Sequence, residues 1–199
     1  MPHKSSLVIL GSGAGSTAQF LCQKFQSQDL PGQIVSLITD NSHSPISSIA
    51  KEFKIPYHFV EFKDLEKEIW DKNLSQVLLS YQPQLILLAG FLKKIGPMVL
   101  NQFKNKIINS HPALIPEFSG TGWYGSRIHQ AVIDQKKKTT GVTIHLVNQD
   151  YDAGRILHQE TISVEEGETA IDLERRVKKI EKDVYFKTVL QIISGKVIL

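Results

Sequence analysis

Short apolar runs alternate with longer amphipathic stretches through most of the chain. Strands covered on both faces of a parallel sheet are almost continuously apolar, and four runs predict buried strands of this kind: residues 7–10, 34–38, 85–89 and 107–109. Three stretches between these runs carry a helical pattern: residues 17–26, 46–53 and 65–81. The alternation predicts a doubly wound, mostly parallel, Rossmann-like α/β sheet with right-handed crossovers.

The last third of the chain has a different pattern. Residues 141–147 and 156–162 are two strand-like runs joined by a loop, and they predict an antiparallel addition to the edge of the sheet. A long C-terminal helix follows, starting at a capping-box-like segment, Thr169 to Asp172, and ending at Gly195. Because no repeat or linker interrupts the pattern, residues 1–199 are predicted to form one domain.

Composition and charge narrow the class of protein. Among 199 residues, 41% are hydrophobic and 22% are charged, which is typical of globular domains. The only cysteine is Cys22, which excludes an intrachain disulfide and a zinc site built on paired cysteines. A net charge of 23 − 20 = +3 is too small to indicate nucleic acid but suits anionic small molecules.

Targeting and membrane signals are not visible in the sequence. The apolar run after the N-terminus is too short for a signal peptide, and no stretch approaches the roughly 20 apolar residues that a membrane span requires. We therefore expect a cytoplasmic protein with no membrane partner and no nucleic-acid partner.

A glycine-rich turn follows the first strand, with the sequence Gly11-Ser12-Gly13-Ala14-Gly15-Ser16-Thr17. In such a turn, backbone N–H groups approach an anion at the positive end of a helix. A dinucleotide is one candidate ligand, since Gly11 and Gly13 form half of a Rossmann fingerprint and Asp40 closes the second strand. A phosphate monoester held by residues 15–17 is the second candidate, and a turn that binds nothing is the third.

Asn109 ends the predicted strand at 107–109, and His111 follows it in the next segment. Asn109 and His111 are two residues apart in extended chain, so their side chains share a face, and Pro112 favours that extended backbone. Open α/β sheets bind ligands at the carboxyl ends of their strands. Asp152, in the loop before Gly154, is a candidate carboxylate partner of His111.

Together these motifs resemble the glycinamide ribonucleotide formyltransferase family. Four segments carry the resemblance, in the same order along the chain: Leu88-Ala89-Gly90-Phe91, residues 109–116, Gly141-Val142-Thr143-Ile144-His145 and Asp152-Ala153-Gly154. The family implies transfer of a formyl group from the co-substrate 10-formyltetrahydrofolate to the amine of glycinamide ribonucleotide, a step of purine biosynthesis. No metal is implied, and a monomer or weak homodimer is expected.

The resemblance also implies roles for individual residues. Asn109, His111 and Asp152 match the catalytic trio, and Asn109 also contacts the folate. The substrate phosphate is expected at Gly15, Ser16 and Thr17, and Glu181 is expected to contact the nucleotide. Five residues match folate-contacting positions: Lys67, Lys93, Lys94, Ile95 and Gly96. The chain departs from the family pattern at Ala14 and Thr17, where Asn is common, at Lys67, where Arg is common, and at Lys182, where His is common.

These roles carry chemical expectations. Asn109 and a protonated His111 would donate to the oxyanion that forms on the formyl group, and Asp152 is expected to raise the pKa of His111. Thr143 and His145 share a strand face and are expected beneath the trio.

Other activities on the same fold remain open from the sequence. An amino-sugar formyltransferase would show a similar trio. The methionyl-tRNA enzyme is expected to carry a further C-terminal domain, and formyltetrahydrofolate hydrolase a further N-terminal one. A nicotinamide-dependent oxidoreductase built on Gly11, Gly13 and Asp40 and a non-catalytic nucleotide-binding module are the alternatives from other classes.

Overall fold

The computed structural model describes residues 4–199, which form seven strands, six α-helices and a short 3-10 turn at Asp64–Glu66. The strands are β1 (Ser5–Leu10), β2 (Gly32–Thr39), β3 (Tyr57–Phe59), β4 (Leu85–Leu88), β5 (Ile107–His111), β6 (Thr139–Leu146) and β7 (Ile156–Ser163). The helices are α1 (Ser16–Ser27), α2 (Ile46–Phe53), α3 (Lys67–Tyr81), α4 (Pro97–Gln102), α5 (Ser126–Asp134) and α6 (Ala170–Ile193).

All seven strands belong to one sheet, in the order β3-β2-β1-β4-β5-β6-β7. Strands β1 to β5 pair in parallel, whereas β6 runs antiparallel to β5 and β7 antiparallel to β6. The chain winds outward from β1 to β3 and then returns to β4, so the winding direction reverses between β1 and β4. The predicted doubly wound sheet with an antiparallel C-terminal addition is therefore confirmed, and its reversal point is where open sheets of this kind bind ligands.

Two apolar clusters cover the two faces of the sheet. One joins the sheet to α1, α2, α5 and α6, and the other joins it to α3 and α4. Successive residues of β1 alternate between them: Leu7 and Ile9 pack in the first cluster, and Val8 and Leu10 pack in the second. This alternation explains why the central strands read as continuous apolar runs. No helix of the described residues is long and apolar enough to cross a bilayer.

Three elements lie outside the sequence prediction: β3, α4 and α5. They are short, with 3, 6 and 9 residues, so periodicity gives little signal for them. Strand β5 also continues beyond the apolar run to include Ser110 and His111, because both residues pair with β6. This extension places the polar end of β5 inside the sheet and fixes the direction of its side chains.

Helix α6 packs against the strand ends that carry the site. Its predicted cap is confirmed, since Thr169 Oγ1 accepts a hydrogen bond from the Asp172 amide at 3.2 Å. The buried hydroxyl of Tyr185 lies 3.2 Å from the Leu88 carbonyl oxygen and 3.1 Å from that of Ile108, to both of which it can donate. This contact ties α6 to the neighbouring ends of β4 and β5.

The loop between β6 and β7 turns back tightly on the end of β6. Asp152 adopts a left-handed backbone with φ 52°. A Cβ on Gly154 would lie 1.7 Å from the carbonyl oxygen of Leu146, a distance that no side chain tolerates. Glycine at 154 therefore permits the close approach that holds the loop, and with it Asp152, against the sheet.

Replacing Gly154 with alanine tests this close approach. We expect Gly154→Ala to lower the free energy of unfolding by about 1–3 kcal/mol, because the added methyl group forces the backbone of Leu146 to shift. Gly13→Ala is the control: its Cβ would meet its nearest neighbour, the Gly90 carbonyl oxygen, at 3.7 Å. Urea denaturation measures both variants. Equal stability of the two variants would show that the turn has room for a side chain.

Candidate active site

A cavity of about 650 Å³ opens at the carboxyl ends of β1, β4 and β5. It is large enough for small organic substrates. The walls come from the glycine turn after β1, the segment after β4, the end of β5, the loops that precede α5 and β7, and two side chains of α6. Asn109, His111 and Asp152 all line this cavity, so the structure brings together the three residues that the sequence analysis combined.

The side chain of Asn109 is oriented by His145 on the neighbouring strand. His145 Nδ1 donates to the Leu146 carbonyl oxygen at 2.9 Å, which leaves Nε2 as an acceptor. Asn109 Nδ2 donates to that Nε2 atom at 3.2 Å. The amide group of Asn109 is thereby held with its second N–H available to a ligand.

The imidazole of His111 lies between two acceptors. Its Nε2 atom donates to the Phe118 carbonyl oxygen at 2.8 Å, and its Nδ1 atom lies 3.5 Å from Asp152 Oδ2. A ring that carries protons on both nitrogens satisfies both acceptors, as only the imidazolium does. The position of His111 therefore favours proton uptake at Nδ1.

Burial acts in the opposite direction on His111, whose residue surface is only 4% exposed. Loss of solvent holds the pKa of His111 below its ordinary value of 6.5, although the charge of Asp152 and the Phe118 carbonyl oxygen both favour the charged ring. The expected effect of Asp152 on this pKa therefore has the predicted direction, and burial of the ring outweighs it. The sequence does not predict that burial, because it depends on the loops that pack over the end of β5.

Asp152 joins the two imidazoles. Its Oδ1 atom lies 3.5 Å from His145 Nε2, and its Oδ2 atom accepts from the Gly120 amide at 3.1 Å. Burial raises the pKa of Asp152, but the neighbouring His145 ring, the charge of His111 and the Gly120 amide outweigh it and hold this pKa below its ordinary value of 3.8. The carboxylate is therefore ionised at neutral pH and stays available to the rings.

The loop that carries His111 is fastened to β6 beneath the trio. Thr143 Oγ1 donates to the Ala113 carbonyl oxygen at 2.7 Å and accepts from the Ile115 amide at 3.2 Å. Gln159 Nε2 on β7 also donates to Thr143 Oγ1, at 3.0 Å. Thr143 and His145 thus support the site from one face of β6. Their two side chains do not form a hydrogen bond with each other.

The glycine turn after β1 has the shape of an anion site. Gly15 adopts a left-handed backbone with φ 71° immediately before α1, and a Cβ there would lie 2.6 Å from Ile49 Cδ1. Gly15, Ser16 and Thr17 line the cavity at the N-terminus of α1. Backbone N–H groups in this arrangement can bind a phosphate group.

Asp40 has a partner within the same turn. Ser12 Oγ donates to Asp40 Oδ1 at 2.5 Å and accepts from the Leu92 amide at 3.2 Å. Asn41 Nδ2 donates to the Ser12 carbonyl oxygen at 2.9 Å. Asp40 therefore stabilises the turn, whereas a dinucleotide site would need this carboxylate for a ribose.

Helix α6 contributes two charged side chains to the cavity, Lys178 and Glu181. Lys178 forms an ion pair with Glu174, one turn earlier. Burial raises the pKa of Glu181 above its ordinary 4.5, and a hydrogen bond from Ser110 acts against this rise. Glu181 is a residue that the sequence predicts in the site, whereas Lys178, three residues earlier and thus on the same helix face, is not.

The five residues expected to contact folate divide into two groups. Lys93, Lys94 and Ile95 line the cavity, whereas Gly96 and Lys67 do not. A Cβ on Gly96 would lie 2.1 Å from the Asp71 carboxyl carbon, and that carboxylate accepts from the Met98 amide at 2.7 Å at the start of α4.

Lys67 lies at the start of α3, where its ammonium group is 3.7 Å from Asp64 Oδ1. Gly96 therefore has a structural role in the α3–α4 contact, and Lys67 lies outside the cavity wall.

The loop before α5 also lines the cavity, and its residues are not among those predicted from the sequence. Six residues from Gly120 to Gly125, followed by Arg127, line the cavity. Gly120, Gly122 and Gly125 have positive φ values of 91°, 90° and 58°. The three glycines spaced through this segment were the available signal, because closely spaced glycines mark a backbone that L side chains do not follow.

The chain is similar in sequence to a family of known proteins. Residues 5–189 match the family described as formyl transferase. Phosphoribosylglycinamide formyltransferase of Mycobacterium tuberculosis strain H37Rv is 32% identical over 88% of this chain and 79% of its own length. The chloroplastic enzyme of Vigna unguiculata is 32% identical over 98% of this chain, which spans 63% of the plant protein's length.

A solved structure agrees with these sequence relatives. Phosphoribosylglycinamide formyltransferase from Bacillus halodurans superposes with a TM-score of 0.86 at 30% identity, over 96% of each chain. The family match covers most of the chain, and the fold and the sequence relatives agree on the same enzyme. The chain therefore belongs to the formyltransferase family, among the phosphoribosylglycinamide formyltransferases.

Proposed function

We propose that the protein transfers the formyl group of 10-formyltetrahydrofolate to the amine of glycinamide ribonucleotide, a step of purine biosynthesis. One observation carries the proposal: Asn109, His111 and Asp152 face a single cavity that also contains a left-handed glycine turn at a helix N-terminus. The trio suits acyl transfer, and the turn suits a phosphorylated acceptor.

The proposed reaction begins with attack of the substrate amine on the formyl carbon. A bond forms between the amine nitrogen and this carbon, and negative charge develops on the formyl oxygen. Asn109 Nδ2 donates to that oxygen, as the contact with His145 leaves one N–H of the amide available. A donor of this kind accelerates acyl transfer by about 10²–10³-fold.

The intermediate then collapses with cleavage of the bond between the formyl carbon and N10 of the folate. One proton leaves the attacking amine and one proton reaches N10, so the products are the formylated amide and tetrahydrofolate. We propose that His111 and Asp152 move this proton, either directly or through one water molecule. The depressed pKa of His111 keeps the ring able to accept a proton near neutral pH and to return it.

We propose that the nucleotide binds at the end of the cavity formed by the N-terminus of α1 and by one face of α6. Gly15, Ser16 and Thr17 would hold the phosphate group, with Lys178 as a cationic partner, and Glu181 would accept from the sugar hydroxyls. Thr17 supplies a hydroxyl and a backbone N–H to this turn. Lys182, by contrast, does not line the cavity.

The folate end is proposed at the segment after β4. Lys93 Nζ lies 4.3 Å from the ring centre of Phe62, and Lys94 Nζ lies 5.8 Å from that of Tyr151. Aromatic and cationic groups in this arrangement suit the flat ring and acidic tail of a folate. Lys93, Lys94 and Ile95 are the proposed contacts, together with Asn109. Lys67 would reach only a part of the ligand that extends beyond the cavity.

An amino-sugar nucleotide is the second candidate acceptor, because its phosphate groups would also suit the glycine turn. A nicotinamide-dependent oxidoreductase is a weaker candidate, since Asp40 is engaged by Ser12. We further propose that residues 1–199 form one domain, that the protein is a monomer or weak homodimer and that it acts in the cytoplasm.

A spectroscopic assay tests the proposed function. The purified protein is mixed with 10-formyltetrahydrofolate and glycinamide ribonucleotide, and release of the folate product is followed by absorbance. Product should form only when both substrates are present. Transfer to an amino-sugar nucleotide but not to glycinamide ribonucleotide would support the second candidate, and quenching of NAD(P)H fluorescence would support the third.

Asn109→Ala tests the oxyanion donor. We expect turnover to fall by roughly 10²-fold or more, with the fold intact, because one N–H donor to the developing oxyanion is lost. Asn101→Ala, at an exposed position on α4, is the matched control and should leave turnover unchanged. Normal turnover in a folded Asn109→Ala variant would remove this residue from the mechanism.

Asp152→Asn tests the carboxylate beside His111. The substitution keeps the shape of the side chain and removes its charge, so the pKa of His111 should fall further below 6.5. We expect turnover to fall by roughly 10²-fold with little change in nucleotide affinity. NMR titration of His111 measures the pKa directly.

Asp150→Asn, two residues away in the same loop, controls for the general loss of a negative charge. Asp150 forms no ion pair within residues 4–199, and its replacement should leave the His111 titration nearly unchanged. A His111 titration that is the same in Asp152→Asn and in the wild type would show that the carboxylate does not act on the ring.

Gly15→Ala tests the phosphate turn. A Cβ at this left-handed position collides with Ile49 and displaces the backbone N–H groups, so we expect nucleotide affinity to fall far more than folate affinity. Calorimetric titration with each ligand alone measures the two losses. Gly167→Ala is the control for backbone strain, since Gly167 has φ 75° and its Cβ would meet nothing within 4 Å. Equal losses for both ligands would place the phosphate elsewhere.

A further inference from the structure

Ser110 lies between Asn109 and His111 on β5, and its side chain faces the opposite side of the strand. Ile108, two residues earlier on the same side, packs in the apolar cluster that contains Val184 of α6. Ser110 Oγ donates to Glu181 Oε1 on α6 at 2.6 Å. The strand that carries two proposed catalytic residues is thus joined to the proposed nucleotide-binding carboxylate by one hydrogen bond.

This hydrogen bond has the features of a strong, charge-assisted contact. Its length is typical of a hydroxyl that donates to a carboxylate. Both partners are only partly exposed and both line the cavity. Burial opposes ionisation of Glu181, and the Ser110 hydroxyl is the largest of the effects that favour the ionised form, ahead of Lys178 and Lys182.

The contact also restricts the orientation of the carboxylate. A glutamate on a helix surface samples several rotamers, and ordering such a side chain at a ligand site costs roughly 0.5–1.5 kcal/mol. With Oε1 engaged by Ser110, Glu181 is already fixed before a ligand arrives, and Oε2 remains to accept hydrogen bonds. Because Ser110 is adjacent to Asn109 and His111, this arrangement also sets the carboxylate in register with the reacting groups.

We propose that Ser110 is a positioning residue for the acceptor substrate, which holds Glu181 in the orientation that receives the sugar hydroxyls. The inference rests on the proposed function, in which Glu181 contacts the nucleotide. Ser110 itself takes no part in proton transfer. Its loss should therefore weaken binding of the nucleotide and leave both the chemical step and the folate site unaffected.

Steady-state kinetics with each substrate varied separately test the proposal. We expect Ser110→Ala to raise KM for glycinamide ribonucleotide by about tenfold, as expected for loss of a hydrogen bond to a charged group. The kcat and the KM for 10-formyltetrahydrofolate should stay within about twofold of the wild type. Ser110→Thr keeps the hydroxyl and should restore most of the nucleotide KM.

Ser80→Ala is the matched control, because Ser80 is exposed on α3 and donates to the Val77 carbonyl oxygen. Circular dichroism melting shows whether each variant is folded. If Ser110→Ala does not fold, Ser110→Cys takes its place, since a thiol of similar size is a weak donor. The same rise in nucleotide KM is expected of it.

A double-mutant cycle with Glu181→Ala separates positioning from a general packing effect. In the Glu181→Ala background, Ser110→Ala should change the nucleotide KM by less than about twofold, because the acceptor of its hydrogen bond is already removed. A further tenfold rise in that background would overturn the proposal. So would an unchanged nucleotide KM in folded Ser110→Ala, an equal rise in both KM values, or a Ser110→Thr variant as weak as Ser110→Ala.

The same assay separates this inference from the proposed function. Absence of formyl transfer to glycinamide ribonucleotide by the wild type would refute the proposed function. Normal wild-type transfer with any of the overturning results above would refute the role of Ser110 alone.

Discussion

The carboxylate of Asp152 lies 3.5 Å from a ring nitrogen of His111 and 3.5 Å from one of His145. A buried carboxylate is costly unless nearby donors compensate for its lost hydration. Here the Gly120 amide donates to the carboxylate, and the two imidazole rings beside it also favour its ionised form. Each of these groups comes from a different segment, so the end of β5, strand β6 and the loop before α5 must all be in place for the charge to be stable.

The backbone of the β6–β7 loop also holds the Asp152 carboxylate in place. Asp152 has a left-handed φ, and Gly154 passes so close to Leu146 that no side chain fits.

Two opposing effects act on His111: burial favours the neutral ring, and Asp152 favours the charged one. A negative charge that appears beside such a ring favours its protonated form. In the proposed reaction, the oxyanion on the formyl group is such a charge.

The sequence predicts the parts of this structure that depend on local pattern. Continuous apolar runs identify the parallel strands, and the pair Asn109 and His111 identifies the edge of the sheet where the cavity lies. It does not predict contacts between residues far apart in the chain, such as Ser110 with Glu181 or Ser12 with Asp40. It also does not predict the burial that lowers the pKa of His111 against the effect of Asp152, because the burial of one strand-end residue depends on loops that pack over it.

The two ends of the cavity rest on different elements. The proposed nucleotide end is built from the start of α1 and from α6, whereas the proposed folate end is built from the segment after β4 and the β6–β7 loop. Strand β5 serves both ends, since Asn109 and His111 face the proposed reaction centre while Ser110 contacts α6. Because alternate residues of one strand serve the two sides, the rigid geometry of that strand would set the distance between the proposed acceptor amine and the proposed catalytic groups. A site assembled on separate loops would have to order those loops at each turnover, and this strand is already ordered by its pairing with β4 and β6.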